Sequence, residues 1–140
     1  MKPTKDSSNE TQLKWWRSPG VIYFLAAGNP PSAIKIGVTT RATLLDRMRK
    51  TQTHNHEPIE LLGVIRFDEG EFPTRDAEDQ ERLLHLRFAH LLRFKPGTRG
   101  SEWFSISAEL LDWIGSTAIT PEVLGVQRFV CTPVNRDMAS

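Results

Sequence analysis

A chain of 140 residues, 39% hydrophobic and 25% charged, has the size and make-up of one ordinary globular domain, which excludes general disorder, collagen and coiled coil. No run approaches the ~20 apolar residues of a membrane span, the first twenty residues lack the apolar middle of a secretory signal, and the lone Cys131 and four histidines give neither a disulfide nor a zinc spacing, so a cytoplasmic protein without staples is expected. The net charge of +1 conceals an asymmetry: seven acids against Arg75 between Asp68 and Glu81, then five bases and no acid from Arg82 to Arg99, which suits either a phosphate-bearing partner or a solvated helix face.

Residues 1 to 18 are polar apart from Trp15 and Trp16 and read as a flexible tail whose tryptophans can dock on the domain. Val21 to Ala26 is β-branched and aromatic, Gly28-Asn-Pro-Pro-Ser32 is turn punctuation, and Ala33 to Val38 is a second short run; together they predict a hairpin. With the turn centred near Pro30, odd positions pair with odd ones, so Tyr23 and Lys35 share one face while Ile34 and Ile36 take the other. Thr39 or Thr40 can cap a helix running to about Thr51, with Leu44, Leu45 and Met48 buried and Arg47 beside them. Gln52 to Pro58 reads as a loop and Ile59 to Phe67 as a third strand, followed by an acidic loop with Gly70 and Pro73.

Asp76 to Phe94 is the longest helical pattern, carrying Ala77, Leu84, Phe88, Leu91 and Leu92 at spacings of three, four and seven, with Lys95-Pro-Gly97 as its stop. Glu102 to Ile106 is a short final strand, Ser107 to Ile114 a helix closed by Gly115, and Thr120-Pro121 a one-turn start. The expected architecture is α+β: a three-stranded antiparallel sheet, made of the hairpin and the third strand, flanked by helices. The chain divides into a tail at 1–18, a core at 19–106 and a C-terminal helix and tail at 107–140.

Glu81 lies within the apolar stripe of its helix, nearly in line with Ala77, Leu84 and Phe88. A carboxylate there either profits from the helix dipole at the stripe's edge or has a cation, a metal or a wet cleft beside it. Tyr23 alone reads as a half-buried strand tyrosine, Lys35 as a solvated lysine, and Arg47, with Arg41, Arg49 and Lys50, as a basic helix face. His54 and His56 read as loop residues, and His85, one turn after Glu81 on the same side, as its hydrogen-bond partner.

Taken together these residues resemble a known family. Gly20-Val-Ile-Tyr23 followed by Lys35-Ile-Gly37 is similar to the paired motif of the GIY-YIG endonuclease superfamily. The likeness continues through Arg47, Gln52-Thr53, Glu57-Pro58-Ile-Glu-Leu-Leu62, Glu81-Arg-Leu-Leu-His85 with Arg87-Phe88, and Gly100-Ser-Glu-Trp-Phe104. It spans about residues 19 to 106 and is nearest to the phage and bacterial branch, in which lysine replaces the second motif tyrosine.

The resemblance implies that superfamily's nuclease fold and a metal-dependent endonuclease that hydrolyses phosphodiester bonds in DNA, with RNA left open. In it Tyr23 orients or deprotonates the attacking water, Arg47 neutralises the scissile phosphate, and Glu81 holds one Mg²⁺ or Mn²⁺ ion, which keeps waters and borrows phosphate oxygens. Lys35 stands for the second tyrosine with an electrostatic role. Gly37, Arg41, His54, His85 and Glu102 are the neighbouring substrate-binding candidates. Arg41 competes for the arginine role because the connection to the helix is about two residues longer than usual, and the late asparagine position has no secure match, with Ser101 or Glu102 nearest. The rival reading is a non-catalytic nucleic-acid-binding module of the same fold. Neither reading involves a membrane, and both leave room for a homodimer.

Overall fold

The structure is a computed structural model in which residues 8–93 and 103–128 are described. Its elements in chain order are α1 (Ser8–Arg17), β1 (Gly20–Gly28), β2 (Pro31–Thr40), a 3-10 turn (Arg41–Thr43), α2 (Leu44–Thr53), β3 (Ile59–Phe67), α3 (Pro73–Arg87), a second 3-10 turn (Ala89–Leu91), β4 (Trp103–Ser105), α4 (Ala108–Thr117) and α5 (Pro121–Leu124). The sheet has four strands in the order β3-β1-β2-β4, every pair antiparallel. The expected three-stranded sheet is corrected to four: the short final strand expected at Glu102 to Ile106 is a strand from Trp103 to Ser105 and joins the sheet on the outer edge of β2, from Ala33 to Lys35.

The hairpin has the odd-with-odd register: Tyr23 faces Gly37 and Leu25 faces Lys35. Every residue of β1 from Gly20 to Ala27 is buried, as a central strand covered on both faces must be. One face packs Val21, Tyr23, Leu25 and Ala27 against Leu44 and Met48 of α2 and Leu124 of α5. The other packs Ile22, Phe24, Ile34 and Ile36 against Ala77 and Leu84 of α3, Phe88, Phe104, and Leu110 and Ile114 of α4. Between these two layers β3 carries a bulge, since Phe24 pairs with Gly63 but Leu25 with Leu61. The extra residue, Leu62, shifts the alternation, so Leu61 and Val64 both reach the Tyr23 face.

Several helix readings change. The segment expected to be a flexible tail is helical from Ser8 to Arg17 and docks on α3 through its tryptophans. Leu45, expected in the core, is 38% exposed, whereas the buried side of α2 is made by Leu44, Met48, Thr51 and Gln52. Neither Thr39 nor Thr40 caps α2; their hydroxyls instead meet that of Thr43 at 2.6 and 2.7 Å. α3 starts three residues early, with Pro73 in its first turn, and stops at Arg87 rather than Phe94. α4 runs through Gly115 to Thr117, with Ser107 Oγ accepting from Leu110 N–H as its cap. Cys131, Lys95-Pro-Gly97 and Glu102 lie outside the described residues.

After α4 the chain crosses to the far edge of β3. Val64 and Ile119 exchange both backbone hydrogen bonds, at 3.0 and 2.8 Å, and Leu61 N–H donates to the carbonyl of Arg128 at 2.8 Å. The Arg128 guanidinium holds Glu60 and Glu122, and its hydrogen bond keeps the Glu122 carboxyl below the usual carboxylate range. No helix among the described residues is long and apolar enough to cross a membrane.

Candidate functional site

Tyr23 is 1% exposed, and its ring lies across the backbone of β2 at Gly37. A Cβ at Gly37 would stand 2.4 Å from both Cζ and Oη of Tyr23, so glycine is what lets the phenol cross the strand. Lys35, two residues earlier on β2 and on the same face, is half-buried, with Nζ 6.0 Å from the centre of the tyrosine ring. Arg47 is also half-buried; it follows Leu44 by three residues on α2, the helix whose Leu44 and Met48 pack in the same cluster as Tyr23. One face of the sheet thus brings together the tyrosine, the lysine and the helix that bears the arginine.

Glu81 belongs to α3, which covers the opposite face. It is half-buried, its side chain 18% exposed, and one turn on His85 Nε2 donates to the carbonyl of Ile36 at 2.9 Å. A carbonyl can only accept, so the proton of that imidazole sits on Nε2 when the ring is neutral. The same nitrogen is 3.9 Å from Glu81 Oε2, and the ring packs edge-on against Phe104 at 5.1 Å. His85 thereby ties α3 to β2 one residue before Gly37, and Glu81 lies one helical turn from that tie. Among the described residues no three or more histidine, cysteine or acidic side chains converge to hold a metal. A hard cation at Glu81 would take the carboxylate from the protein and its remaining ligands from water and phosphate.

The other candidates scatter. Arg41 is exposed, its Nη2 3.4 Å from the Leu124 carbonyl, which ties it to α5. His54 is exposed at the end of α2, with Nδ1 donating to the Lys50 carbonyl at 2.9 Å. Two further residues near this face have structural roles. Gln52 is buried, its Oε1 accepting from Ile59 N–H at 2.8 Å and its Nε2 donating to the Glu57 carbonyl at 3.0 Å, which fixes the loop between α2 and β3. Trp103 is the register partner of Lys35. An amide in a polar Gln-Thr-His-Asn-His run gives no signal of burial, whereas a tryptophan beside a phenylalanine in a three-residue strand does.

The motifs that suggested a family are explained by local packing. Gly37 is required by the Tyr23 ring, and Gly20 by Thr74, whose Oγ1 would be 2.7 Å from a Cβ there. Short signatures of that kind follow from hairpin geometry and do not by themselves fix ancestry. Comparison with curated proteins gives no match, and comparison with solved structures gives none. The family model that matches is described as the T5orf172 domain and covers residues 20–117, from the first residue of β1 to the last of α4. The GIY-YIG assignment read from the motifs is corrected accordingly: the chain belongs to the T5orf172 domain family.

Proposed function

We propose that the protein is a divalent-metal-dependent endonuclease that hydrolyses phosphodiester bonds in DNA. The observation that carries this reading is the buried Tyr23 laid over Gly37, with Lys35 on the same face and Glu81 on the helix that His85 ties to the adjacent residue of β2. A phenol held this firmly is suited to orient an attacking water, and Lys35 and Arg47 to offset charge on the phosphate. Arg47 supplies a planar fork for two phosphate oxygens where Lys35 supplies a point charge. Glu81 is the metal ligand in this reading; a bound Mg²⁺ or Mn²⁺ ion would stabilise charge on the phosphate and leaving oxygens. Membership of the T5orf172 domain family is in keeping with a nucleic-acid-related role.

The test is incubation with single-stranded, duplex and branched DNA in Mg²⁺, in Mn²⁺ and in chelator. Cutting should occur only with the ion, and Glu81→Ala should lower the rate ~10²–10³-fold or more with its melting unchanged. Undiminished cutting by that variant removes Glu81 from the chemistry. Binding of DNA by the wild-type chain with no cutting in any ion makes it a nucleic-acid-binding module instead.

A further inference from the structure

On the face that carries Tyr23, β1 and β2 run toward their turn into small residues. Ala27 and Ala33 are register partners there, both buried, so the hairpin past Lys35 offers a floor of two alanines, beside Ile59 of β3. Trp103 stands opposite Lys35 in the register of β2 and β4 and packs, half-buried, on the same cluster as Tyr23. Floor and wall bound a cavity of about 350 Å³ whose rim is Ser32, Asn55, Glu57 and Arg93. That is within the usual range for small-molecule sites.

The rim is anchored. Gln52 Nε2 reaches the carbonyls of both Asn55 and Glu57, and Gly28 N–H donates to the Pro58 carbonyl at 3.1 Å. On the other side Arg93 N–H donates to the Trp103 carbonyl at 3.0 Å, and its Nη1 lies 3.4 Å from the Ser32 carbonyl. An indole beside two alanines offers an apolar surface on which a flat ring can lie. A carboxylate, an amide and a guanidinium at its mouth are partners for the polar edge of such a ring. Glu57 repels phosphate while Arg93 and Lys35 attract it, so an occupant attached to phosphate turns that group away from Glu57. A base within a duplex is stacked on both sides and cannot enter.

We propose that this cavity binds one unpaired nucleobase of the DNA strand, stacked on Trp103, with Glu57 accepting a hydrogen bond from the exocyclic amine of that base. The proposal rests on the reading of DNA as substrate and adds a specificity-determining subsite to it. From Tyr23 to Ala27 along β1 is roughly 13 Å, so the base held would lie a short run of strand away from the phosphate at Tyr23.

The experiment is equilibrium binding by fluorescence anisotropy, in chelator so that nothing is cut. The probes are short single-stranded oligonucleotides made abasic at each position in turn, and oligo-dC against oligo-dT. One abasic position should weaken binding to the wild-type chain by roughly 5- to 150-fold, the range for loss of a base stacked on an aromatic ring. Trp103→Phe should keep most of that penalty. Trp103→Leu, which fills space without a π face, should lose it, with circular dichroism melting used to show that both variants fold. Glu57→Gln should narrow the preference for dC over dT. The subsite is overturned if no abasic position costs the wild-type chain more than twofold, or if Trp103→Leu keeps the full penalty; an unchanged dC preference in Glu57→Gln overturns the edge contact. A protein that cuts DNA in Mg²⁺ yet shows no abasic penalty loses only the subsite, whereas one that binds no DNA in any arm overturns both this inference and the nuclease reading.

Discussion

Tyr23 and Gly37 form one unit, in which a large ring occupies the space that a side chain on the facing residue would need. Gly37→Ala places a methyl 2.4 Å from Cζ and Oη in a region where the ring is 1% exposed, so the ring or the strand has to move. Overpacking of this kind costs ~1–3 kcal/mol. Urea denaturation should show that loss, and DNA cleavage should fall with it because the phenol is displaced. In a Tyr23→Leu background the added methyl should cost much less, a coupling that a double-mutant cycle measures. The sequence makes the shared face of Tyr23 and Lys35 legible, since the turn at Pro30 sets the register. It does not show why position 37 is glycine, because that reason lies in where a ring from the neighbouring strand comes to rest. Glu81 is legible as a carboxylate on an apolar stripe, but its tie to β2 through His85 is not, as the imidazole bonds a carbonyl 49 residues away.

At the scale of elements, α1 shows how few contacts seat a short helix. Ten residues without an apolar stripe are marginal as an isolated helix in water. Here Trp15 and Trp16 donate their indole N–H groups to the two oxygens of Glu78, at 3.0 and 3.1 Å. Arg75 lies 5.5 Å from the Trp16 ring and 4.5 Å from that of Phe72. Glu78→Ala removes both acceptors at once, and hydrogen bonds to a charged group contribute ~1.5–3 kcal/mol each where desolvated and less where water competes. The variant should release α1: backbone amides of residues 9–17 exchange faster, tryptophan emission shifts to the red, and the melting temperature of the sheet changes little. Glu78→Gln, which keeps one acceptor, should lie between. The tryptophans as docking groups are legible in the sequence, and the helix that presents them is not, since it is made by a carboxylate on another element. The turn at Arg41–Thr43 is hidden for a similar reason, three threonine hydroxyls satisfying one another where a helix cap was expected.

The whole molecule is a sheet covered on both faces, and this much follows from the alternation of apolar runs and amphipathic stretches. Two of its features do not. The short strand expected at Glu102 to Ile106 carries no sign in its own composition of which edge it joins, and the bulge at Leu62 reverses the alternation inside Leu61 to Ile65, where neither phase holds a polar side chain to mark it. The match to the T5orf172 domain ends at residue 117, while the pairing of Val64 with Ile119 and of Leu61 with the Arg128 carbonyl lies beyond it. A chain cut after Thr117 would keep every strand and lose the segment lying along the outer side of β3. The amides and carbonyls of Leu61 and Val64 would then form an open template on which a second molecule can add a strand. Such a shortened protein should self-associate as its concentration rises, visible as growing mass in static light scattering, whereas the full chain should not. A Lys substitution at Val64 would not repair this, since that side chain is buried in the core; restoring residues 118–128 should. These eleven residues therefore act as a built-in terminator of the sheet, and their service to the fold is to limit how many molecules it can join.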